Sequence, residues 1–291
     1  MNSSFSAGSG LPGSLGLRQA TASSTYSDTP QHPLHLEPGT FGTPLFFKEK
    51  RSGLASHFDK YFAIEEASTP IQREEIYRLR YEVYCEDMGF ENKEEFPDRM
   101  ERDHFDNDAI HYLIRHRTSQ KIAGCLRFIL KRSHPASPLL PFELACGNLL
   151  DPDYYPPSPP QPLEYAEVSR IAAHPLFRKR TGEEKLVDGL SESLDYSTMT
   201  SSSRAFPIVA MALYLLSAAL GVANNRQIYV MQEPKSARHL RRLGINVTQV
   251  SELVEFHGQR AAFTINPLTI PDTIKGEIRA FLLHLLDSLD S

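Results

Sequence analysis

Four short stretches carry side chains whose types and spacing could do chemistry. The first is Glu167-Val168-Ser169-Arg170, with Tyr165 and Ile171 beside it. A carboxylate among apolar strand residues is desolvated, so its pKa rises and it can take a proton near neutral pH. Alternation along a strand puts Glu167 and Ser169 on one face and Arg170 on the other. The plainer alternative is an edge strand facing water. The second stretch is Glu101-Arg102-Asp103-His104-Phe105-Asp106. Acids this close repel one another on a packed surface. The segment is therefore either a solvated loop or a set of partners for distant cations.

The third feature is a pair of arginines. Arg80 falls on the apolar stripe Ile76, Leu79, Val83, where an unpaired guanidinium is costly. It either snorkels at the stripe's edge or meets the acidic segment and closes a binding cavity. Arg127 points away from the apolar face of its own strand, toward either water or the same acids. The fourth is Arg178-Lys179-Arg180-Thr181-Gly182 ahead of a helix from about Glu183. Cations beside free amides at a helix start hold phosphate, although a solvated basic turn has the same letters.

Other chemistries lack their residues. There is no GxSxG, HExxH or Walker loop, and the histidines show no ligand spacing, so no metal site is expected. Gly8-Ser9-Gly10-Leu11-Pro12-Gly13 spells a dinucleotide motif but lacks the strand before it and the helix after it. Cys85, Cys125 and Cys146 stand far apart with no CxxC, which reads as free thiols in a reducing cytoplasm. Lys and Arg number 31 against 36 Asp and Glu, a net charge of −5 that argues against a nucleic-acid partner.

These groups need elements to hold them. Residues 1–57 are rich in Ser, Gly and Pro and read as a disordered tail, leaving 58–291 as one domain. Tyr61–Ala67 reads as a strand. Thr69, Pro70 and Gln72 then form a helix start. Ile110–Arg115 and Ile122–Leu130 make a hairpin through Thr118-Ser119-Gln120, with Ile122, Gly124, Leu126, Phe128 and Leu130 on one face. The stretch from Lys131 to Gln161 ends in a proline cluster and reads as a surface loop, either a lid or slack. Leu163–Ala173 is the next strand. Ala205–Ala223 holds no charge, so it is a buried helix or, less favoured, a membrane span. Gln227–Gln232 is a strand and Pro234–Leu243 a helix closed by Gly244. Thr248–Phe256 and Ala261–Ile265 form a second hairpin, and an amphipathic helix follows from about residue 272. It docks on the core or makes a peripheral membrane contact.

The motifs in this order resemble a known pattern. Leu79-Arg80-Tyr81-Glu82-Val83-Tyr84, then Glu101-x-Asp103-x-x-Asp106, Gly124-x-x-Arg127 and Glu167-x-Ser169-Arg170 are similar to the acyl-homoserine-lactone synthases. Val83–Glu91, Leu139-Leu140-Pro141-Phe142-Glu143, Ala237–Ile245 and His257-Gly258-Gln259-Arg260 are similar to the N-acyl amino acid synthases and the PEP-CTERM/exosortase system-associated acyltransferases. The resemblance spans roughly residues 60–266. It implies a GCN5-related N-acyltransferase-like α/β/α sandwich on a central mixed, largely antiparallel sheet.

It implies a cytoplasmic enzyme that moves a fatty acyl group from an acyl carrier protein thioester to a small amine, with no bound cofactor. Glu167 would be the base, supported by Ser169 and Arg170. Arg80, Asp103, Asp106 and Arg127 would shape the amine pocket with Glu101, and Phe90 would line it. The pyrophosphate loop expected of a coenzyme A enzyme is altered, because Gly182 comes late. The cluster Arg178, Lys179, Arg180 therefore suits an acidic carrier protein better than free coenzyme A. The alternatives are a lactone synthase using S-adenosylmethionine, a non-catalytic acyl-binding protein, or a protein anchored through Ala205–Ala223.

Overall fold

Thr69 begins the first long helix by reciprocal capping: its hydroxyl accepts from Gln72 N at 3.2 Å, and the Gln72 side chain accepts from Thr69 N at 3.1 Å. The computed structural model describes residues 53–131, 138–157, 164–178 and 208–289. The expected tail over 1–52, Lys179, Arg180 and the helix from Glu183 lie outside those residues, as does the Arg178 side chain.

The helices are α1 (Gly53–Tyr61), α2 (Pro70–Arg80), α3 (Pro141–Cys146), α4 (Pro175–Arg178), α5 (Ile208–Ala223), α6 (Pro234–Arg242), α7 (Ile270–Thr273) and α8 (Gly276–Leu289). The strands are β1 (Phe62–Glu66), β2 (Ile110–His116), β3 (Ile122–Leu130), β4 (Tyr165–Ala173), β5 (Gln227–Gln232), β6 (Val247–Gln249), β7 (Val254–Glu255) and β8 (Gln259–Ile265). They form one sheet in the order β1-β2-β3-β4-β5-β8-β6, with β7 also beside β8. β4 and β5 run parallel, and the other neighbours are antiparallel. Helix α5 is buried along 14 of its 16 residues and packs with α1 and α8 on one face. On the other face α2 covers Leu113, Cys125 and Ala172, and α3 covers Tyr229 and Ala262. This is the expected α/β/α sandwich on a largely antiparallel sheet.

Helix α5 answers the question raised by its composition. Among the described residues no helix is long and apolar enough to cross a membrane. Its close fit to the sheet shows at Gly124, where a Cβ would stand 2.9 Å from Leu213 Cδ1 and 3.0 Å from both Ala172 O and Val209 Cγ1. Gly124→Ala is expected to cost about 1–3 kcal/mol through overpacking, read as a lower urea midpoint with unchanged slope.

Four expectations need correction. Residues 53–57 belong to α1 rather than to a tail: Leu54, Ala55 and Phe58 are buried, and the Phe58 ring lies 5.2 Å from that of Phe281. The loop from Lys131 to Gln161 is not all surface. Pro141 occupies the first helical position, which tolerates proline, and Leu140, Phe142 and Cys146 of this region are buried. Ile122 leaves the face of Leu126, because a bulge lets Arg115 pair with Ile122 while Ile114 pairs with Gly124. It packs with α2 instead. The expected strand Thr248–Phe256 is likewise interrupted: Ser251 bridges to Leu150, and its Oγ accepts from Ala262 N at 2.8 Å.

Candidate active site

β4 and β5 pair only from Tyr165 with Gln227 to Glu167 with Tyr229, and then both run on. The strands part there because β4 bulges. Against β3 the register passes from Ser169 opposite Arg127 to Ala172 opposite Cys125, and Arg170 takes a left-handed φ of 50°. A bulge turns side chains off their alternating faces. Arg170 thus joins Glu167 and Ser169 instead of taking the opposite face as alternation predicts. The gap is a cleft lined by these three residues, by Tyr84, Phe90 and Glu91 after α2, by Gln232, by His257 from the β7–β8 turn and by Arg260 of β8.

Glu167 sits where the strands part, 1% exposed. Burial pushes its carboxyl up to about 8, against the lowering effects of the Phe142 N–H bond and the Arg127 and Arg170 charges. The Phe142 N–H donates to Glu167 Oε2 at 2.9 Å. Helix α3 holds that amide in place. The Phe142 ring stacks on Tyr229 at 4.6 Å between centroids. Glu143 accepts from Leu140 N at 2.5 Å, Lys131 Nζ at 2.8 Å, Tyr165 Oη at 2.9 Å and Tyr155 Oη.

The acidic segment is folded inward. Arg80, fully buried, donates from Nε to Glu101 Oε2 at 2.5 Å and from Nη1 and Nη2 to Asp106 at 2.7 and 3.1 Å. Arg127 Nη1 reaches Asp103 at 2.6 Å and Asp106 at 3.1 Å, and its Nε donates to Ser169 Oγ at 3.1 Å. Arg170 donates to Glu101 at 3.1 Å, Asp103 at 3.3 Å and Glu91 at 3.4 Å. Burial resists ionisation of Asp106, yet the Arg80 and Arg127 charges hold it well below the usual carboxylate range. Arg80, Glu101, Asp103, Asp106, Arg127, Ser169 and Arg170 are therefore one connected network against the cleft, with Phe90 on its rim stacked on His257 at 5.2 Å.

Gln232 and the tyrosines around Glu143 were missed at the sequence level, and Tyr84, Glu91 and Glu143 stood only inside segments that carried a resemblance. Arg260 and His257 were noted only within a resemblance. Gln232 is 5% exposed, and neither its Nε2 nor its Oε1 has a partner. Each unmet group of a buried amide costs about 1–3 kcal/mol, so this side chain suits a ligand that brings both an acceptor and a donor.

Residues 79–188 match a family model described as an acetyltransferase (GNAT) domain. That stretch carries Arg80, the acidic segment, β2, β3 and Glu167. The protein is an acyltransferase, and its fold is of the GNAT type. No curated protein matches the chain. Among solved structures, the chain is similar to TofI in a ternary complex with an inhibitor and MTA, at 19% identity over 75% of this chain and 99% of that one, TM-score 0.48. It is similar to the AHL synthase LasI at 17% identity over 74% and 96%, TM-score 0.48. It is also similar to FeeM, an N-acyl amino acid synthase from uncultured soil microbes, at 13% identity over 73% and 94%, TM-score 0.48.

Proposed function

We propose that the enzyme transfers a fatty acyl group from an acyl carrier protein thioester to the amine of an amino acid or similar small molecule. The observation that carries this reading is Glu167, a buried carboxyl pushed up to about 8, at the parting of β4 and β5. Such a group, once ionised, takes a proton through one water from the bound ammonium, freeing the amine to attack, and gives it to the leaving thiolate, while the second N–H proton lost as the amide forms passes to solvent. The amine nitrogen bonds to the thioester carbon, the oxyanion forms and collapses, and the carbon–sulfur bond breaks. Backbone amides of β4 beyond Glu167 are the donors proposed for the oxyanion. Arg80, Arg127 and Arg170 with their acids hold the acceptor wall rigid, so that orientation supplies much of the rate.

The basic run Arg178, Lys179, Arg180 and the late Gly182 favour the carrier protein over coenzyme A as donor. The segments Val83–Glu91, Leu139–Glu143 and His257–Arg260 extend the proposal to kinship with the PEP-CTERM/exosortase-associated enzymes, working in the cytoplasm. Gln232 fits the donor's pantetheine arm, whose amides offer the acceptor and donor that its side chain lacks. Gln232→Leu is expected to raise the thermal midpoint of the ligand-free protein and to raise KM for the thioester. Purified protein incubated with long-chain acyl carrier protein and mixed amino acids should yield N-acyl amino acids by mass spectrometry. Absence of product while the donor stays intact overturns the reading. Release of methylthioadenosine with S-adenosylmethionine as acceptor would convert it to lactone synthesis.

A further inference from the structure

Three of the arginines at the site, Arg80, Arg127 and Arg170, are all bound to carboxylates. Arg260 is different. It lines the same cleft as Glu91 and Glu233, yet among the described residues no carboxylate lies within ion-pair distance of it. Its Nε is buried and has no hydrogen-bond partner. Its guanidinium lies 5.3 Å from the centroid of Phe90, and Phe90 in turn stacks on His257 with 17° between the ring planes. A flat cation held against an aromatic face keeps its edge free for a flat anion.

The sheet places this cation on the side of the proposed base. Glu167 is in register with Tyr229, and Met231 with Ala262. Tyr229, Met231 and Ala262 pack in the same cluster, so the alternation of β8 brings Arg260 to that face too. In a cleft lined by Glu91, Glu167 and Glu233, a guanidinium without an ion pair is suited to take the negative end of a bound molecule.

We propose that Arg260 is the recognition residue for a carboxylate on the acceptor, so that the amine acylated here belongs to a zwitterion rather than to a simple alkylamine. This rests on the acyl-transfer reading and sharpens it. The donor thioester and fatty chain are uncharged at the reacting end, so the anion comes from the acceptor. Bidentate guanidinium–carboxylate pairing would hold that end while the amine meets the thioester.

The test separates recognition from turnover. N-dodecanoylglycine and N-methyldodecanamide differ by the carboxylate alone. Calorimetric titration of the wild-type protein should show the acid binding at least tenfold tighter than the amide. In Arg260→Gln that preference should vanish, with amide binding retained and unfolding still cooperative. Equal binding of the two by wild type, or a preference retained in Arg260→Gln, overturns the proposal. In the acyl-transfer assay, glycine should react with a lower KM than methylamine, and Arg260→Gln should raise only the glycine KM. If the acid binds through Arg260 but no amine is ever acylated, the anion site stands and the transferase reading falls.

Discussion

Glu167→Gln is expected to lower kcat by about 10²–10⁴-fold, the usual worth of a positioned general base, while leaving the fold intact. The amide carbonyl can still accept the Phe142 N–H that Glu167 Oε2 now takes at 2.9 Å, so the change removes basicity and little else. Two pH effects accompany it. Wild-type turnover should rise with pH as a group near 8 ionises, and the residual activity of the variant should lack that limb.

Stability moves the other way. The folded-state pKa of Glu167 lies above its ordinary value of 4.5, so between the two the folded protein holds a proton that the unfolded chain has lost. This contribution is full below about pH 4.5 and is lost as pH rises toward 8, at up to roughly 1.4 kcal/mol per unit. Glu167→Gln has no such loss. The variant should therefore gain on wild type in thermal midpoint between pH 5 and pH 8. A Glu167→Gln enzyme that turns over normally would place the base elsewhere.

Much of this site could be read from the chain because burial leaves a chemical contradiction in the letters. Arg80 on an apolar stripe and three acids in a short loop each had a reading that needed the other, and the structure joins them. Capping at Thr69 is a local signal, and α2 begins where that signal puts it, just as the apolar run Gln227–Gln232 forms β5 with those bounds. What escaped has no local signal. Helix α1 is fixed by Phe281 and by Glu277, whose Oε2 accepts from Leu54 N across a sequence separation of 223 residues. The bulge that redirects Arg170 puts an arginine, not a glycine, at positive φ. Nothing in the letters marks it.

The far wall of the cleft escaped for a related reason. Gln232 and Arg260 read as ordinary polar residues at strand ends. They become notable only when strand order sets β8 beside β5 and leaves their polar atoms without partners. Helix α3 was hidden by the prolines around it. Yet the buried Phe142 and Glu143 within it decide how Glu167 is held.

Arg80→Leu is expected to be the most destabilising single change at the site, costing about 3–5 kcal/mol in urea unfolding at pH 7. The loss comes less from the pair energy than from what stays behind. Glu101 and Asp106, 1% and 3% exposed, would stay buried with fewer partners. Arg80→Lys should recover only part, since an ammonium cannot repeat the fork that reaches Glu101 and both oxygens of Asp106. The network also fixes how the cost should combine. With Asp106→Leu added, Arg127 keeps Asp103 at 2.6 Å and Glu101 keeps Arg170 at 3.1 Å. No charge is then stranded. The double variant should cost clearly less than the two single changes summed, with a coupling of roughly 1–3 kcal/mol in the cycle. Additive costs would mean that Arg80 and Asp106 are neighbours without being partners, and that Glu101, through Arg80 Nε and the Tyr77 carbonyl, is what ties the acidic loop to α2.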